Sequence, residues 1–170
     1  AAPGAKSRQI YESVNGNCNL SMNDLKKDRY KKLLLDFKGY DVTITSKDAS
    51  VDRYPFYDKI LLDVPCSSTG TIQKNPDIKW KDINYIKLNK IQLSILTNMS
   101  NYVKKNGIII YSTCSLNENE NWKIISRFLT LNKNFCIDHA SNYIDSAYVD
   151  KNGCMSTFPP LHQMEGMFAA

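Results

Sequence analysis

The chain has 170 residues, of which 42% are hydrophobic and 23% are charged, and its formal net charge is +5. That length and composition suit one globular domain, and we expect one partial domain over residues 1–170. No apolar run approaches the ~18 residues of a membrane span, and the opening "AAPGAKSRQI" lacks the basic start and apolar core of a secretory signal. The positive charge is compatible with a polyanionic partner but does not identify one.

Five cysteines occur in the chain, an odd number without CxxC spacing. Reduced thiols in an intracellular protein are therefore expected, which means the cytoplasm in a bacterium, with a nucleolar or organellar location open in a eukaryote. A metal site is an alternative use of two cysteines. Only His139 and His162 could complete such a site, and neither has ligand spacing, so no metal is expected.

The first third of the chain alternates between helical and strand patterns. Residues 4–14 can form a helix, and "NCNLSMND" (residues 17–24) alternates like a strand that ends on an acid. "KKDRYKKLLLDF" (residues 26–37) has apolar residues at helical spacing and is followed by Gly39, a helix stop. The β-branched "DVTITS" (residues 41–46) then predicts a strand.

The same alternation continues to the end of the chain. "YDKILLD" (residues 57–63) predicts a strand buried on both faces, and a long loop separates it from a helix over residues 83–104 that Gly107 would end. "IIIYST" is the next strand, a helix runs from Asn117 or Glu118 to residue 131, and "FCIDHA" and "EGMFAA" predict two more strands. Strands alternating with helices predict an α/β fold with a mostly parallel sheet flanked by helices.

Polar residues follow several of these predicted strands. Asp24, Asp48, Asp63 and Cys114 lie at or just beyond strand carboxyl ends, where ligands bind in such sheets. Asp24 has the position that binds ribose hydroxyls in dinucleotide folds, although capping of the following helix explains it equally well. Asp48 is also consistent with a solvated loop acid. Residues 1–7 predict a turn entering a helix whose N–H groups could face an anionic ligand, or simply a turn.

Two segments carry a cysteine beside small polar residues. In "DVPCSSTG", Asp63 could hydrogen-bond a ring nitrogen or an exocyclic amine, and Cys66 lies beyond the apolar run. In "YSTCSLNENEN", Cys114 directly follows a strand. Each cysteine alone could be structural. Their pairing on neighbouring strand ends favours a functional site, whereas Trp80 and Trp122 are expected in the core or at an interface rather than as base-stacking platforms.

"AAPGAKS", "DVPCSSTG", "NPDIKW", "YSTCSLNENEN" and "EGMF" resemble, in order and spacing, the Sun family of RNA cytosine-5 methyltransferases, most closely the RsmB-type bacterial members that modify small-subunit ribosomal RNA. The likeness covers nearly the whole chain. It implies a Rossmann-like, S-adenosylmethionine-dependent methyltransferase fold whose first strand and upstream RNA-binding region are missing here. Ala5, Glu165 and Met167 stand where the family usually has Gly, Asp and Phe.

The resemblance also implies roles for individual residues. Cys114 would be the nucleophile that adds to cytosine C6, Cys66 would assist release as a base, Asp63 would hold the flipped base, and Lys6 would lower the pKa of the attacking thiol or position Asp63. The cofactor would contact the following residues: Ala1, Ala2, Pro3, Gly4, Ala5, Lys6, Asp24, Asp48 and Asp63. Asp41 or Asp52 could replace Asp48 in that set.

The expected partner is RNA, with ribosomal RNA first and transfer RNA as the alternative; no membrane is expected, and the sequence leaves the oligomeric state open. Two alternatives come from other classes of protein. A DNA cytosine-5 methyltransferase would use the Pro-Cys thiol, Cys66, as its nucleophile, but the Thr-Cys motif argues against it. A non-catalytic RNA-binding scaffold is disfavoured because Asp63, Cys66 and Cys114 are all present.

Overall fold

The computed structural model describes Ala1 and residues 3–170, so the predicted cofactor contact at Ala2 lies outside the described residues. Contacts between Cα atoms cluster the chain into two compact units, Ala1–Arg53 and Tyr54–Ala170. We call them the N-terminal unit and the C-terminal unit.

The N-terminal unit alternates helices and strands as the sequence predicts: α1 (Ala5–Ser13), β1 (Leu20–Asn23), α2 (Lys27–Asp36) and β2 (Val42–Thr45). The two strands pair in parallel, with Asn23 opposite Thr45, so their carboxyl ends lie side by side. Met22, Leu33 and Phe37 are buried at the centre of this unit because the period of each element brings them to one side.

Gly4 joins the turn before α1 to this core. Its φ is +95°, and a Cβ built on it would lie 2.6 Å from the ring of Phe37. Both the left-handed backbone and the close approach therefore require glycine at this position. The glycine therefore has a packing reason of its own, whether or not the turn faces a ligand.

The C-terminal unit contains the remaining elements: β3 (Tyr57–Asp63), α3 (Tyr85–Ser100), β4 (Val103–Thr113), α4 (Trp122–Leu131), β5 (Met155–Ser156), α5 (Pro159–His162) and β6 (Phe168–Ala169). Its sheet has the order β3-β4-β6-β5. Strands β3 and β4 are parallel, with Asp63 opposite Ser112, whereas β6 is antiparallel to both of its neighbours. The predicted parallel arrangement is present in β1-β2 and β3-β4. The strand predicted over "EGMFAA" is β6, which lies antiparallel to β4 and β5.

The boundary between α3 and β4 differs from the prediction. The helix ends at Ser100 rather than at residue 104, because Val103 already pairs with Tyr57 in the sheet. Gly107 lies inside β4 and does not end the helix. The pairing register shifts between Tyr57 and Lys59, and a Cβ on Gly107 would lie 2.6 Å from the carbonyl oxygen of Asp58, so glycine allows this close strand approach.

Two further sequence predictions were wrong in detail. The helix expected from Asn117 or Glu118 begins at Trp122. No strand forms over "FCIDHA" within the described residues; instead a 3₁₀ turn covers Ala140–Asn142, and the Ala140 N–H donates to the carbonyl of Gly153. Local alternation of apolar residues did not produce a strand there because no sheet edge pairs with the segment.

The faces of β3 also differ from the prediction. Ile60 and Leu62 are buried, but Leu61 and its pairing partner Ile110 on β4 are 39% and 43% exposed. Successive side chains of a strand point to opposite faces, so the β3-β4 pair has one buried and one exposed face. The expectation of burial on both faces was wrong. No helix among the described residues is long and apolar enough to cross a membrane.

Candidate active site

The parallel pairing of β3 and β4 brings the two cysteine segments together. Beyond the strand ends, the Val64 N–H donates to the Ser112 carbonyl (3.2 Å) and the Gly70 N–H donates to the Cys114 carbonyl (2.9 Å). As a result the Sγ atoms of Cys66 and Cys114 lie 3.4 Å apart. Both cysteines are free thiols of intermediate exposure. They are therefore close enough to share a proton and open enough for a substrate to reach.

Gly70 allows the loop after Cys66 to fold against its neighbours. A Cβ on Gly70 would lie 2.0 Å from the carbonyl oxygen of Gly166 and 2.9 Å from that of Cys114. The Gly166 N–H also donates to the Gly70 carbonyl (2.9 Å). The "DVPCSSTG", "YSTCS" and "EGMF" segments thus meet at Gly70, which explains on packing grounds why a glycine follows the first cysteine motif.

The two thiols have different proton affinities. A hydrogen bond from the Cys66 thiol lowers the pKa of Cys114 to about 6, with a further contribution from Ser68, against the opposing effect of burial. The same hydrogen bond, burial and the negative charge of Cys114 raise the pKa of Cys66 well above its ordinary value. Between the two thiols, these shifts favour ionisation of Cys114 and retention of the proton on Cys66, which is compatible with a nucleophilic Cys114.

Asp63 is the last residue of β3 and is exposed. Its negative charge acts on Cys114, since it raises the pKa of that thiol. The structure thus brings Asp63, Cys66 and Cys114 together at one end of the β3-β4 pair.

A cavity of about 650 Å³ opens beside Cys66. It is lined by the loop after Cys66, by the "NPDIKW" segment and by the first turns of α3, with Asp77, Lys81 and Lys87 among its charged residues. Its volume is within the range of small-molecule sites. Trp80 of this segment is 89% exposed, because Ile78 takes the buried position of this 3₁₀ helix. Of the two positions expected for Trp80, the core position is wrong and the interface position stays a prediction.

In the N-terminal unit, Ala1 lies next to Asp24. The Gly4 N–H donates to the Ala1 carbonyl (2.9 Å), and the Ala1 nitrogen lies 3.1 Å from the Asp24 carboxylate. The other Asp24 oxygen accepts from the Lys26 N–H (3.1 Å), immediately before α2. Asp24 therefore organises the start of α2 and also lies at the turn, so its two sequence interpretations are compatible.

This arrangement fits the amino-acid and ribose parts of S-adenosylmethionine. Among the described residues, no side chain caps the first turn of the nine-residue α1, whose N–H groups are suited to a carboxylate. The Asp24 carboxylate at the end of β1 is suited to vicinal hydroxyls. Pro3, Ala5 and Lys6 belong to the same turn and first helical turn, and Lys6 is exposed.

The position of Asp48 separates it from Asp41. Asp41 directly precedes β2, whereas Asp48 follows its carboxyl end. Hydrogen bonds from the hydroxyl and N–H of Ser50 lower the pKa of Asp48, and the Asp48 N–H donates to Asp52 (2.7 Å). Asp48 and Asp52 therefore share one turn at the end where the sequence places a ligand, and Asp41 lies at the other end of the strand.

Sequence reasoning missed the residue that joins the two cysteine loops. Glu120 is fully buried, and its carboxylate accepts from the Ser67 N–H (2.9 Å), the Ser67 hydroxyl (2.5 Å), the Ser115 hydroxyl (2.6 Å) and Gln92 (3.0 Å). The signal in the sequence was an acid six residues after Cys114, at a place that predicted only a helix start. Asn23 was also missed; its side chain binds Thr45 and Lys47 and joins the ends of β1 and β2.

Across Ala1 and residues 3–170, no group of three or more His, Cys, Asp or Glu side chains is arranged to hold a metal ion. The two histidines make other contacts. His139 Nδ1 lies 2.9 Å from the Ser141 hydroxyl, and His162 Nδ1 accepts from the Phe158 N–H (2.8 Å).

Comparison with known proteins gives concordant matches. The family model described as 16S rRNA methyltransferase RsmB/F matches residues 1–170. Ribosomal RNA small subunit methyltransferase B of Photorhabdus laumondii is 36% identical over 138 residues, which cover 76% of this chain and 32% of that protein. The chain spans about a third of the length of the curated relatives it matches.

Two solved structures are similar over the whole chain. The crystal structure of PH0851 has a TM-score of 0.90 at 31% identity and is covered to 40%. The crystal structure of NSun6 from Pyrococcus horikoshii with SFG, an analogue of S-adenosylmethionine, has a TM-score of 0.85 at 25% identity. The match covers 45% of the NSun6 chain. The predicted methyltransferase fold and the S-adenosylmethionine dependence of the family are confirmed. The chain belongs to the RsmB/F family of 16S rRNA methyltransferases.

Proposed function

We propose that the protein transfers a methyl group from S-adenosylmethionine to C5 of a cytosine in RNA, with small-subunit ribosomal RNA as the first candidate substrate and transfer RNA as the second. The observation that carries this proposal is the thiol pair: Cys114 and Cys66 in contact at 3.4 Å, with the pKa of Cys114 lowered to about 6 and that of Cys66 raised. Family membership supports an RNA substrate.

Cytosine C5 is a weak nucleophile, so the ring must first be made electron-rich. The Cys114 thiolate adds to C6, and its electron pair enters the ring and makes C5 nucleophilic. The bound S-adenosylmethionine supplies an electrophilic methyl group to that carbon. A thiol that is already ionised at neutral pH reacts without a separate base, which is why the lowered pKa of Cys114 matters.

The target base must leave its stack to reach the thiols. The cavity beside Cys66 has room for part of the RNA strand, and Lys87 on its wall suits a phosphate, whereas Lys81 there is paired with Asp77 (2.8 Å). Trp80 offers an exposed ring next to this cavity on which a neighbouring base could stack. Asp63 holds the flipped base: its carboxylate accepts a hydrogen bond from the exocyclic amino group of the cytosine and stabilises the ring as C6 is attacked.

Release requires a base for the C5 proton. While Cys114 is a thiolate, it keeps Cys66 protonated. Once Cys114 is bonded to C6 it carries no charge and no longer accepts a hydrogen bond as a thiolate, so the pKa of Cys66 falls toward its ordinary value. Cys66 can then lose its proton to solvent and, as the thiolate, take the proton from C5; the electron pair of the C5–H bond forms the C5–C6 double bond, and the C6–sulfur bond breaks with departure of the Cys114 thiolate.

The remaining assignments are part of the same proposal. Ala1, Ala2, Pro3, Gly4, Ala5, Lys6, Asp24, Asp48 and Asp63 contact the cofactor. In this proposal Lys6 lowers the pKa of the attacking thiol or positions Asp63. We further propose that residues 1–170 are part of one catalytic domain of an intracellular enzyme, cytoplasmic in a bacterium.

The experiment is methyl transfer from labelled S-adenosylmethionine by the full-length protein that carries this chain, offered 16S rRNA, transfer RNA and duplex DNA. We expect label in RNA, recovered as 5-methylcytosine after digestion to nucleosides, and none with Cys114→Ala. Label in DNA alone would favour an enzyme that uses Cys66 as nucleophile. Label in no substrate would favour a non-catalytic scaffold.

A further inference from the structure

We propose that Glu120 is a positioning residue that holds the Cys66 and Cys114 thiols in contact by binding Ser67 and Ser115, the residues that directly follow the two cysteines. The proposal rests on the proposed function only for its catalytic consequence. The claim that Glu120 sets the distance between the two sulfur atoms does not depend on that function.

The Glu120 carboxylate links the loop that follows Cys66 to the loop that follows Cys114 through hydrogen bonds. One carboxylate oxygen accepts from the Ser67 N–H and the other accepts from both serine hydroxyls. The two hydroxyl oxygens are themselves 2.9 Å apart. Each serine is one residue away from a thiol, so the carboxylate fixes both backbones next to the sulfur atoms, which lie 3.4 Å from each other.

Helix α3 also contributes a hydrogen bond to the Glu120 carboxylate, through Gln92. Gln92, fully buried, donates through Nε2 to Glu120 (3.0 Å) and to the Pro65 carbonyl (2.9 Å). The Tyr111 hydroxyl donates to the Glu120 backbone carbonyl (2.6 Å). A buried carboxylate is costly unless it is fully hydrogen-bonded, and here its bonds go to the loops that carry the thiols. A packing role would not need a charge at this place.

A positioning role and a purely electrostatic role of Glu120 predict opposite changes in the pKa of Cys114, so an experiment can separate them. A negative charge close to a thiol disfavours its thiolate, whereas the hydrogen bond from Cys66 favours the Cys114 thiolate. Besides Cys66 and burial, the groups that act on Cys114 are the Asp63 carboxylate, which raises its pKa, and the Ser68 hydroxyl, which lowers it. Positioning therefore predicts a higher pKa of Cys114 when Glu120 is neutralised, and a pure charge effect predicts a lower one.

The test uses the full-length protein and the pH dependence of Cys114 alkylation by iodoacetamide, followed on the Cys114 peptide by mass spectrometry. Glu120→Gln keeps the shape and removes the charge; Glu118→Gln, on an exposed residue of the same segment, is the matched control. We expect the alkylation midpoint to move up in Glu120→Gln by one pH unit or more, which from a pKa of about 6 lowers the rate at pH 7 by about twofold or more, and not in Glu118→Gln. A midpoint that stays or moves down overturns the proposal.

Ser67→Ala and Ser115→Ala remove only the hydroxyl partners, so they decide the question even if Glu120→Gln fails to fold. At least one should shift the Cys114 midpoint upward, and no shift in either overturns the proposal. If the wild type methylates RNA, Glu120→Gln should lower kcat while KM for RNA stays the same; a change in KM alone would contradict positioning of the thiols. If the wild type methylates no RNA, the proposed function fails, and the alkylation midpoints still decide the role of Glu120.

Discussion

Replacing Cys66 by alanine should separate the two chemical steps. The substitution removes the hydrogen bond that is the largest cause of the lowered pKa of Cys114, so that pKa should return from about 6 toward the ordinary value. With a pKa near 8.5, the thiolate fraction of Cys114 at pH 7.5 falls from about 97% to about 9%, roughly a tenfold loss. Attack on C6 becomes about tenfold slower but is not abolished.

Release should suffer more than attack, because Cys66→Ala also removes the base for the C5 proton. Protein should therefore accumulate bound to RNA through a bond that survives a denaturing gel. The assay incubates full-length wild type, Cys66→Ala, Cys114→Ala and the double variant with labelled RNA and S-adenosylmethionine. Cys136→Ala is the matched control, because Cys136 is exposed and is not one of the site cysteines.

We expect the trapped complex in Cys66→Ala only, appearing faster as the pH is raised from 6.5 to 8.5. Cys114→Ala and the double variant should show none, because trapping requires the first attack. A trapped complex in Cys114→Ala would refute the assignment of the nucleophile. Near-normal turnover in both single variants would show that the thiols serve packing only.

Three further outcomes are expected. Asp24→Ala should weaken S-adenosylmethionine binding by about 1–3 kcal/mol in calorimetry, the cost of hydrogen bonds to a charged group left unmade. Gly4→Ala should lower the free energy of unfolding by more than Gly39→Ala: both have positive φ, costing about 1–2 kcal/mol, but only Gly4 has a ring in the way of a Cβ. Asp63→Asn should lower the alkylation midpoint of Cys114, because it removes a charge that raises that pKa, and still reduce methyl transfer.

Each of these outcomes has a contrary result. If Asp24→Ala lowers thermal stability with unchanged cofactor affinity, Asp24 only caps α2; Asp28→Ala, on an exposed residue of the first turn of that helix, is the control. Equal destabilisation of Gly4→Ala and Gly39→Ala would contradict the contact with Phe37. Methyl transfer that rises in Asp63→Asn would contradict a role for Asp63 in holding the base.

Much of the order of elements could be predicted from local patterns. Apolar residues at a spacing of 3.6 in residues 26–37 predicted α2, and the apolar runs before Asp63 and Cys114 predicted β3 and β4. These elements can be predicted because a helix with one buried face and a strand with an apolar run each leave a local pattern in the sequence. Strand ends followed by polar residues then predicted that Cys66 and Cys114 lie at one edge. The prediction of a strand over residues 135–140 was wrong, because pairing with a distant strand, and not local alternation, decides whether a strand forms.

The difference between the two cysteines needed the tertiary structure. Both motifs place a thiol among small polar residues, and the sequence separates their roles only through the family resemblance, not through any visible difference in acidity. The 3.4 Å contact and the unequal surroundings of the two sulfur atoms arise from the pairing of β3 with β4 across 48 residues of sequence. The lowered pKa of Cys114 is a property of that contact, so it exists only when the chain is folded.

Glu120 illustrates the same limit. In the sequence it is one of several acids and asparagines before a helix, where an exposed first-turn carboxylate is the ordinary outcome. In the fold it is fully buried between Ser67, Ser115 and Gln92, which come from three separate parts of the chain. The sequence alone determined which chemical groups the site contains. Their distances and protonation states were decided by tertiary structure, because hydrogen bonding and burial act between residues that are neighbours in space and not along the chain.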